Sequence, residues 1–160
     1  MNLYIRQKIF SFGDKYNVFN EQEQPVFTVH GEIFTFGAKI HVCDLAGNEL
    51  YYIQQKLFRF LPEYHIFNGE NLCAVIKKEL SFFKPRLFIQ SQFGDFNIEG
   101  NLFGMDFEIR NGDLPVGEIH KKWLSFGDTY ELIVHNPDDA AFFSTMVIAI
   151  DNCLHNENKH

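Results

Sequence analysis

Lys and Arg side chains concentrate around one predicted hairpin connection. Lys77, Lys78, Lys84 and Arg86 fall within ten residues, and a second Lys-Lys pair occurs at 121–122. Such a group can bind an anionic head group, because each basic side chain near a membrane surface contributes about 1 kcal/mol. A neighbouring glutamate and the formal net charge of −7 oppose this attraction. Ordinary solvated strand ends are therefore the alternative interpretation.

Histidine and cysteine are the residues that would bind a metal or act as a base or nucleophile. The sequence has seven His, but no His-Glu-x-x-His spacing and no paired Cys beside His, so no metal site is predicted. His41 and His65 stand between apolar neighbours and are expected on the outer face of strands. The three cysteines are odd in number and widely spaced, which favours reduced thiols. Cys73 is expected to be an inert core residue.

Acidic and hydroxyl side chains give no catalytic pattern either. One cluster of acidic residues in the sequence consists of Asp95, Asp106, Glu108 and Asp113. Their spacing fits no EF-hand, and they are expected to form a solvated rim. The repeated Ser-Phe-Gly-Asp motif lacks the Gly-x-Ser-x-Gly of a nucleophile elbow. No enzyme and no cofactor are predicted. An enzyme whose residues converge only in the fold is the alternative.

An internal repeat of about 23 residues decides the architecture. Residues 8–18 and 122–132 share Ser-Phe-Gly-Asp-x-Tyr, and weaker copies begin at residues 32, 56, 79 and 99. Four columns are apolar in all six copies. They are Ile5, Val29, Ile53, Ile76, Phe96 and Ile119; Phe12, Phe36, Phe60, Phe83, Phe103 and Phe126; Tyr16, Ile40, Tyr64, Leu87, Phe107 and Tyr130; and Val18, Val42, Ile66, Ile89, Ile109 and Leu132. The last two columns are two residues apart, which is typical of strands.

Each unit is interpreted as a strand, a hairpin turn and a second strand. Turn residues such as Asn68-Gly69 and Asn111-Gly112 follow the last column. The fold class predicted is all-β, with about 12 mostly antiparallel strands from Leu3 to Val134 in up-and-down order. Closure into a barrel hides both sheet edges and the apolar face. The 19 Phe predict an aromatic-rich core.

One hydrophobic C-terminal helix is predicted to fill this barrel. Asn136-Pro137-Asp138-Asp139 is typical of a helix start, with a capping side chain, Pro in the first turn and acidic residues at the positive end. The helix is predicted from Pro137 to Leu154. It is apolar around its whole circumference, so protein must surround it.

These features together resemble the LURP-one-related family, which shares a fold with Tubby C-terminal domains and phospholipid scramblases. The similar segments are Tyr4–Tyr16, the hairpins ending in Ile76-Lys77-Lys78 and Ile119-His120-Lys121, and Met146–Asp151. They cover nearly the whole chain. The resemblance implies a twelve-stranded barrel around a central helix, and it implies association with anionic lipids or membranes.

A single domain at residues 1–155 is predicted, followed by a disordered polar tail at 156–160. The function expected is a non-enzymatic binding or membrane-tethering module, with Lys77, Lys78, Lys84 and Arg86 as the anion-binding residues. A cytoplasmic protein-interaction scaffold is the alternative. The acidic balance argues against nucleic acid as a partner. The N-terminus lacks a signal-peptide core, so a cytoplasmic protein is predicted. It is expected to be monomeric and to have no membrane span.

Overall fold

The computed structural model describes residues 1–6, 15–81, 86–124 and 127–155. Within them the chain forms twelve strands followed by a helix. The strands are β1 (Asn2–Arg6), β2 (Lys15–Phe19), β3 (Pro25–Gly31), β4 (Lys39–Cys43), β5 (Glu49–Gln55), β6 (Glu63–Asn68), β7 (Asn71–Glu79), β8 (Arg86–Ser91), β9 (Gly94–Asn101), β10 (Asp106–Asn111), β11 (Leu114–Leu124) and β12 (Gly127–Val134). A 3-10 turn at Pro137–Asp139 leads into α1 (Ala140–His155).

The sheet closes into a barrel through the pairing of β1 with β12, where Leu3 lies opposite Leu132. Every other strand pairs antiparallel with its neighbours in sequence. The predicted all-β barrel and its up-and-down order are thus confirmed. The tail at 156–160 lies outside the described residues.

Three of the four repeat columns point into the barrel. Their described members, headed by Ile5, Tyr16 and Val18, are all at most 7% exposed. Because alternate side chains of a strand point to opposite faces, this register places the polar residues between them on the outer wall. The strand period in the sequence therefore predicted the inner surface of the barrel.

The Phe column behaves differently, and the prediction of a core rich in phenylalanine is wrong for it. Phe36 is 87% exposed and Phe60 is 92% exposed, whereas Phe12, Phe83 and Phe126 lie outside the described residues. The described members of the column, Phe36, Phe60 and Phe103, lie in connections beyond the strand ends, where no wall covers them. The core is aromatic at other positions, including Phe96 and Phe107.

The helix α1 fills the barrel. All of its residues from Ala140 to Leu154 are buried except Ala141, which is intermediate. At 16 residues it is about 24 Å long, and it packs against β1, β5, β6, β7 and β12. The predicted start is confirmed, since the side chain of Asn136 accepts a hydrogen bond from the backbone N–H of Asp138 at 3.2 Å.

Aromatic rings fix the first turn of the helix. The ring of Phe142 lies 5.0 Å from that of Phe93 and 5.8 Å from those of Tyr51 and Phe143, edge to face in each case. Phe143 also contacts Phe96 edge to face at 5.8 Å. Such pairs contribute beyond their buried area, so they anchor the helix where it enters the barrel.

Polar groups fix the last turn of the helix at the other end. The Tyr130 hydroxyl donates to Asp151 Oδ1 at 2.8 Å, and His155 Nδ1 lies 2.8 Å from the same oxygen. The Tyr64 hydroxyl donates to the Asn152 carbonyl at 3.3 Å. Burial, followed by the charge of Asp151, raises the pKa of Tyr16. Asp151 is therefore the centre of a clamp that connects the helix to the wall.

The clamp predicts a dependence of stability on pH. The hydrogen bond to Asp151 raises the pKa of His155 above its ordinary value, although partial burial and Lys121 act against this. A raised folded-state pKa means that the His155–Asp151 pair stabilises the protein below about pH 6.5 and that this stability is lost as pH rises through the folded pKa. His155 is 39% exposed, so screening should limit the effect to below about 1 kcal/mol.

Urea unfolding of wild type and His155→Gln across this pH range measures the effect. We expect wild type to exceed the variant in free energy of unfolding at low pH and to approach it at high pH. The comparison is needed because the pKa of His120 is also raised, first by its hydrogen bond to Glu118. A constant difference between the two proteins would contradict the assignment.

Candidate functional site

The up-and-down order gives the barrel two distinct ends. Connections that follow odd-numbered strands, such as 32–38 and 56–62, lie at one end. Connections that follow even-numbered strands, such as 20–24 and 44–48, lie at the other. The helix runs back through the barrel, so its C-terminal clamp to Tyr64 and Tyr130 lies at the first end.

Basic side chains gather at this first end, which we call the basic end. Among the described residues, every Lys and Arg except Arg110 lies in its connections or in the adjoining strand ends. These are Arg6, Lys15, Lys39, Lys56, Arg59, Lys77, Lys78, Arg86, Lys121 and Lys122. The positive charge comes from many strands, so a chain that appears acidic by composition carries a basic surface.

Acidic side chains dominate the opposite end, which we call the acidic end. In the described part of the chain they are Glu21, Glu23, Asp44, Glu49, Glu70, Asp95, Asp113, Asp138 and Asp139. Acidic residues also lie at the basic end: Glu32, Glu63, Glu79, Asp106 and Asp128 in its connections and strand ends, and Asp151 in the last turn of the helix. The barrel therefore has a charge dipole along its axis, and such an uneven distribution can orient a protein at a charged surface despite an opposing net charge.

Lys77, one of the predicted anion-binding residues, belongs to an ion-pair network around Glu63. Its Nζ lies 3.8 Å from Glu63 Oε1. Arg59 Nε and His65 Nε2 approach the other oxygen at 3.6 and 2.7 Å. Lys77 and Arg59 are each about half exposed, so one glutamate partly neutralises two cations that still reach solvent.

Glu63 stays ionised in this network. Its partial burial acts to raise its pKa, but the hydrogen bond from His65 and the charges of His65, Lys77 and Arg59 outweigh that effect and leave the pKa below its ordinary value. The negative charge of Glu63 therefore holds the basic side chains of β5–β6 and β7 together at neutral pH.

The structure does not bring Lys78 and Arg86, the other predicted residues that it describes, into one pocket with Lys77. Lys78 follows on the opposite face of β7, half-buried at the mouth of the barrel, with its backbone N–H donating to the Pro62 carbonyl at 3.1 Å. Arg86 is exposed and lies opposite Glu79 in the strand register. Lys84 lies outside the described residues. The three described residues are thus part of a rim, and the role of the predicted set in binding stays a prediction.

Sequence reasoning missed the rest of the basic end. Lys39, Lys56 and Arg59 are far from Lys77 in sequence but lie in connections at the same end. Assigning each charge to the first or second half of its repeat unit would have revealed the polarity, because an up-and-down barrel places equivalent connections at one end.

The remaining sequence motifs occupy the outer wall and the two ends. His41 interacts with Glu49 and lies 3.4 Å from Glu32, while His120 lies 2.8 Å from Asp106. Among described residues, no three His, Cys, Asp or Glu side chains are arranged to hold a metal ion. The predicted acidic cluster is divided, since Asp106 lies at the basic end and Asp95 at the acidic end.

Cys73 is buried, as predicted, beside a shallow surface depression of about 190 Å³ between β7 and β8. Its thiol lies 3.6 Å from the Asn71 carbonyl, and Gln92 Nε2 lies 3.4 Å from its sulfur. These two contacts give the thiol weak hydrogen-bond partners within the barrel wall. They do not supply the neighbouring cation or base that activates a cysteine nucleophile.

Known proteins are similar to this chain over most of its length. The family model described as LURP-one-related matches residues 1–151. Uncharacterized protein YxjI of Bacillus subtilis (strain 168) is 34% identical over 158 residues, covering 98% of this chain and 96% of that protein. An X-ray structure of a protein from Arabidopsis thaliana superposes with a TM-score of 0.63 at 18% identity, covering 94% of this chain and 89% of that one. The last similarity concerns the fold.

The apolar helix α1 is shorter than a typical membrane-spanning helix. Within the described residues, no helix is both long enough and apolar enough to cross a bilayer. The apolar helix α1, at 16 residues, is accounted for by its burial inside the barrel.

Proposed function

Because the chain belongs to the LURP-one-related family, we propose that it is a non-enzymatic binding module that docks its basic end on an anionic lipid surface. The observation that carries this proposal is the one-ended distribution of Lys and Arg among the described residues. Head-group phosphates attract such a surface, whereas the acidic end is repelled and faces away. The resemblance to lipid-associated Tubby and scramblase domains points in the same direction.

Long-range attraction and local pairing determine the strength of this binding. Each Lys or Arg near an anionic membrane contributes about 1 kcal/mol. Lys77 shares Glu63, and Arg86 faces Glu79, so these two contribute less than a free cation. Binding therefore depends on several strands together, and the exposed charges are screened within about 8 Å at physiological ionic strength.

The proposal is tested by neutralising the predicted residues together. We expect the Lys77→Gln, Lys78→Gln, Lys84→Gln and Arg86→Gln combination to bind phosphatidylserine-containing vesicles on the order of a hundredfold more weakly than wild type at low salt. Wild-type binding should fall steeply as salt is added. Co-sedimentation measures both effects, and the melting temperature should be unchanged because the described members of the set, Lys77, Lys78 and Arg86, lie on the rim.

Arg110→Gln is the matched control, because it removes one cation near the acidic end. It should bind vesicles as wild type does. Equal binding of wild type and the fourfold variant, or no binding by either at low salt, would contradict the proposal and favour a protein-interaction scaffold.

A further inference from the structure

Two neighbouring connections at the basic end expose large apolar side chains. They are Ile33-Phe34-Thr35-Phe36 and Leu57-Phe58-Arg59-Phe60, which we call the aromatic tips. Phe34 and Phe58 are 97% and 101% exposed. Exposed apolar clusters of this kind mark contact surfaces, and these four Phe rings bury almost nothing within the protein itself.

The backbone holds the two tips in the same strained shape. Phe34 and Phe58 occupy equivalent repeat positions and have φ of 56° and 59°. A bulky residue rarely adopts this left-handed conformation, and such strain is concentrated at functional sites. Glycine would fit here without strain. Folding alone therefore does not account for an aromatic residue at either position.

Hydrogen bonds make the tips one preorganised unit. Glu32 N–H donates to the Lys39 carbonyl and Lys56 N–H to the Glu63 carbonyl, each at 2.9 Å, which closes each connection at its base. Across the connections, Gln55 N–H donates to the Ala38 carbonyl at 2.9 Å. The Ala38 N–H returns a bond to Gln55 Oε1 at 3.0 Å. The tips therefore present their rings together.

Charge around the tips selects the occupant. Lys39 and Lys56 lie at the bases of the two connections and Arg59 lies within one of them, so these three cations outnumber Glu32 and Glu63 at the same bases. Two copies docked tip to tip would bring two basic ends together, which is unfavourable. Apolar rings flanked by cations match the interfacial region of an anionic bilayer, where rings enter the acyl boundary and cations meet the head groups.

We propose that the aromatic tips insert into the interfacial region of an anionic bilayer and anchor the barrel by its basic end. This inference rests on the proposed function and adds a second, apolar contribution to it. Electrostatic attraction brings the basic end to the surface, and insertion of Phe34, Phe36, Phe58 and Phe60 then slows dissociation. Insertion also adds an apolar contribution to the binding free energy, and salt does not screen this contribution.

The first experiment replaces the four Phe of the tips by Ser and measures binding to vesicles of phosphatidylcholine and phosphatidylserine. We expect the variant to bind at least about tenfold more weakly at physiological salt, where apolar burial contributes most of the affinity. It should keep weak, salt-sensitive binding at low salt. Leu45→Ser with Leu114→Ser, which removes two exposed side chains at the acidic end, is the control and should bind as wild type.

A second experiment measures directly whether the aromatic tips insert into the bilayer. Phe58→Trp in a Trp123→Phe background carries a single indole, because Trp123 is the only tryptophan of the sequence. Its fluorescence should shift to the blue with vesicles and be quenched by brominated acyl chains. Leu114→Trp in the same background should show neither change. Phe34→Gly with Phe58→Gly should weaken binding yet unfold at the same or a higher urea concentration, because glycine relieves the strained φ.

The outcomes separate insertion from electrostatic docking. Salt-sensitive wild-type binding with an equally tight Ser variant and no quenching would overturn insertion and leave the proposed function in place. Absence of wild-type binding to any anionic vesicle at low salt would overturn both. Concentration-dependent self-association of wild type that the Ser variant abolishes, without quenching by lipid, would assign the tips to contacts between copies and overturn insertion.

Discussion

Ile148→Asp should unfold the domain or lower its free energy of unfolding by several kcal/mol. Ile148 is 2% exposed, in the middle of a helix that the barrel surrounds. An ionised carboxylate there would lose its hydration without gaining a cation to pair with. A protonated carboxyl group would still be a buried polar group without a hydrogen-bond partner in place. Domains of this kind are stable by about 5–15 kcal/mol, so the loss is a large fraction of the total.

Ile148→Val is the matched control, because it removes one methylene and introduces no polarity. It should cost about 0.5–1.5 kcal/mol and leave a folded, cooperative protein. Circular dichroism and urea unfolding of both variants measure the difference. An Ile148→Asp protein with an unchanged melting temperature would mean that the helix does not occupy the barrel in solution.

The barrel and its helix could be predicted from the sequence because both rest on local periodicity. Columns two residues apart identified the inward side chains, such as Tyr16 and Val18, and an apolar surface around the whole circumference identified α1 as a buried helix. The exposed Phe36 and Phe60 could not be separated from core residues in this way. A repeat shows that a position is equivalent in each copy, but not whether it lies within the wall or beyond its end.

The sequence indicated a group of basic residues but not their surroundings. Lys77, Lys78 and Arg86 lie at the basic end as members of one rim, but the position of Lys77 beside Glu63 and of Arg86 opposite Glu79 depends on strand register. Register results from long-range pairing, which no sequence spacing specifies. The aromatic tips could not be predicted for both reasons. Their exposure and their left-handed backbone follow from where the connections lie relative to the strands, which the sequence pattern does not specify.

The same limit applies to Gly100, where we expect substitution by Ala to cost about 3 kcal/mol or more. Gly100 lies within β9, where the strand register places it opposite Phe107. Its φ is +132°, and a Cβ would meet the Asp106 carbonyl oxygen at 2.6 Å and the Phe107 Cα at 2.8 Å. Both atoms belong to the backbone of β10, so the two strands would have to separate.

Gly112→Ala distinguishes this collision from conformational strain alone. Gly112 also has a positive φ, of +60°, but a Cβ there would meet nothing within 4 Å. Gly112→Ala should therefore lower the free energy of unfolding by only about 1–2 kcal/mol, which is the cost of a left-handed conformation for a residue with a Cβ. Urea unfolding of the two variants gives both losses, and equal losses would show that β9 and β10 can move apart freely. A larger loss at Gly100 would mean that the wall leading to the β9–β10 connection at the basic end is held rigidly, which is what a surface that binds through many strands requires.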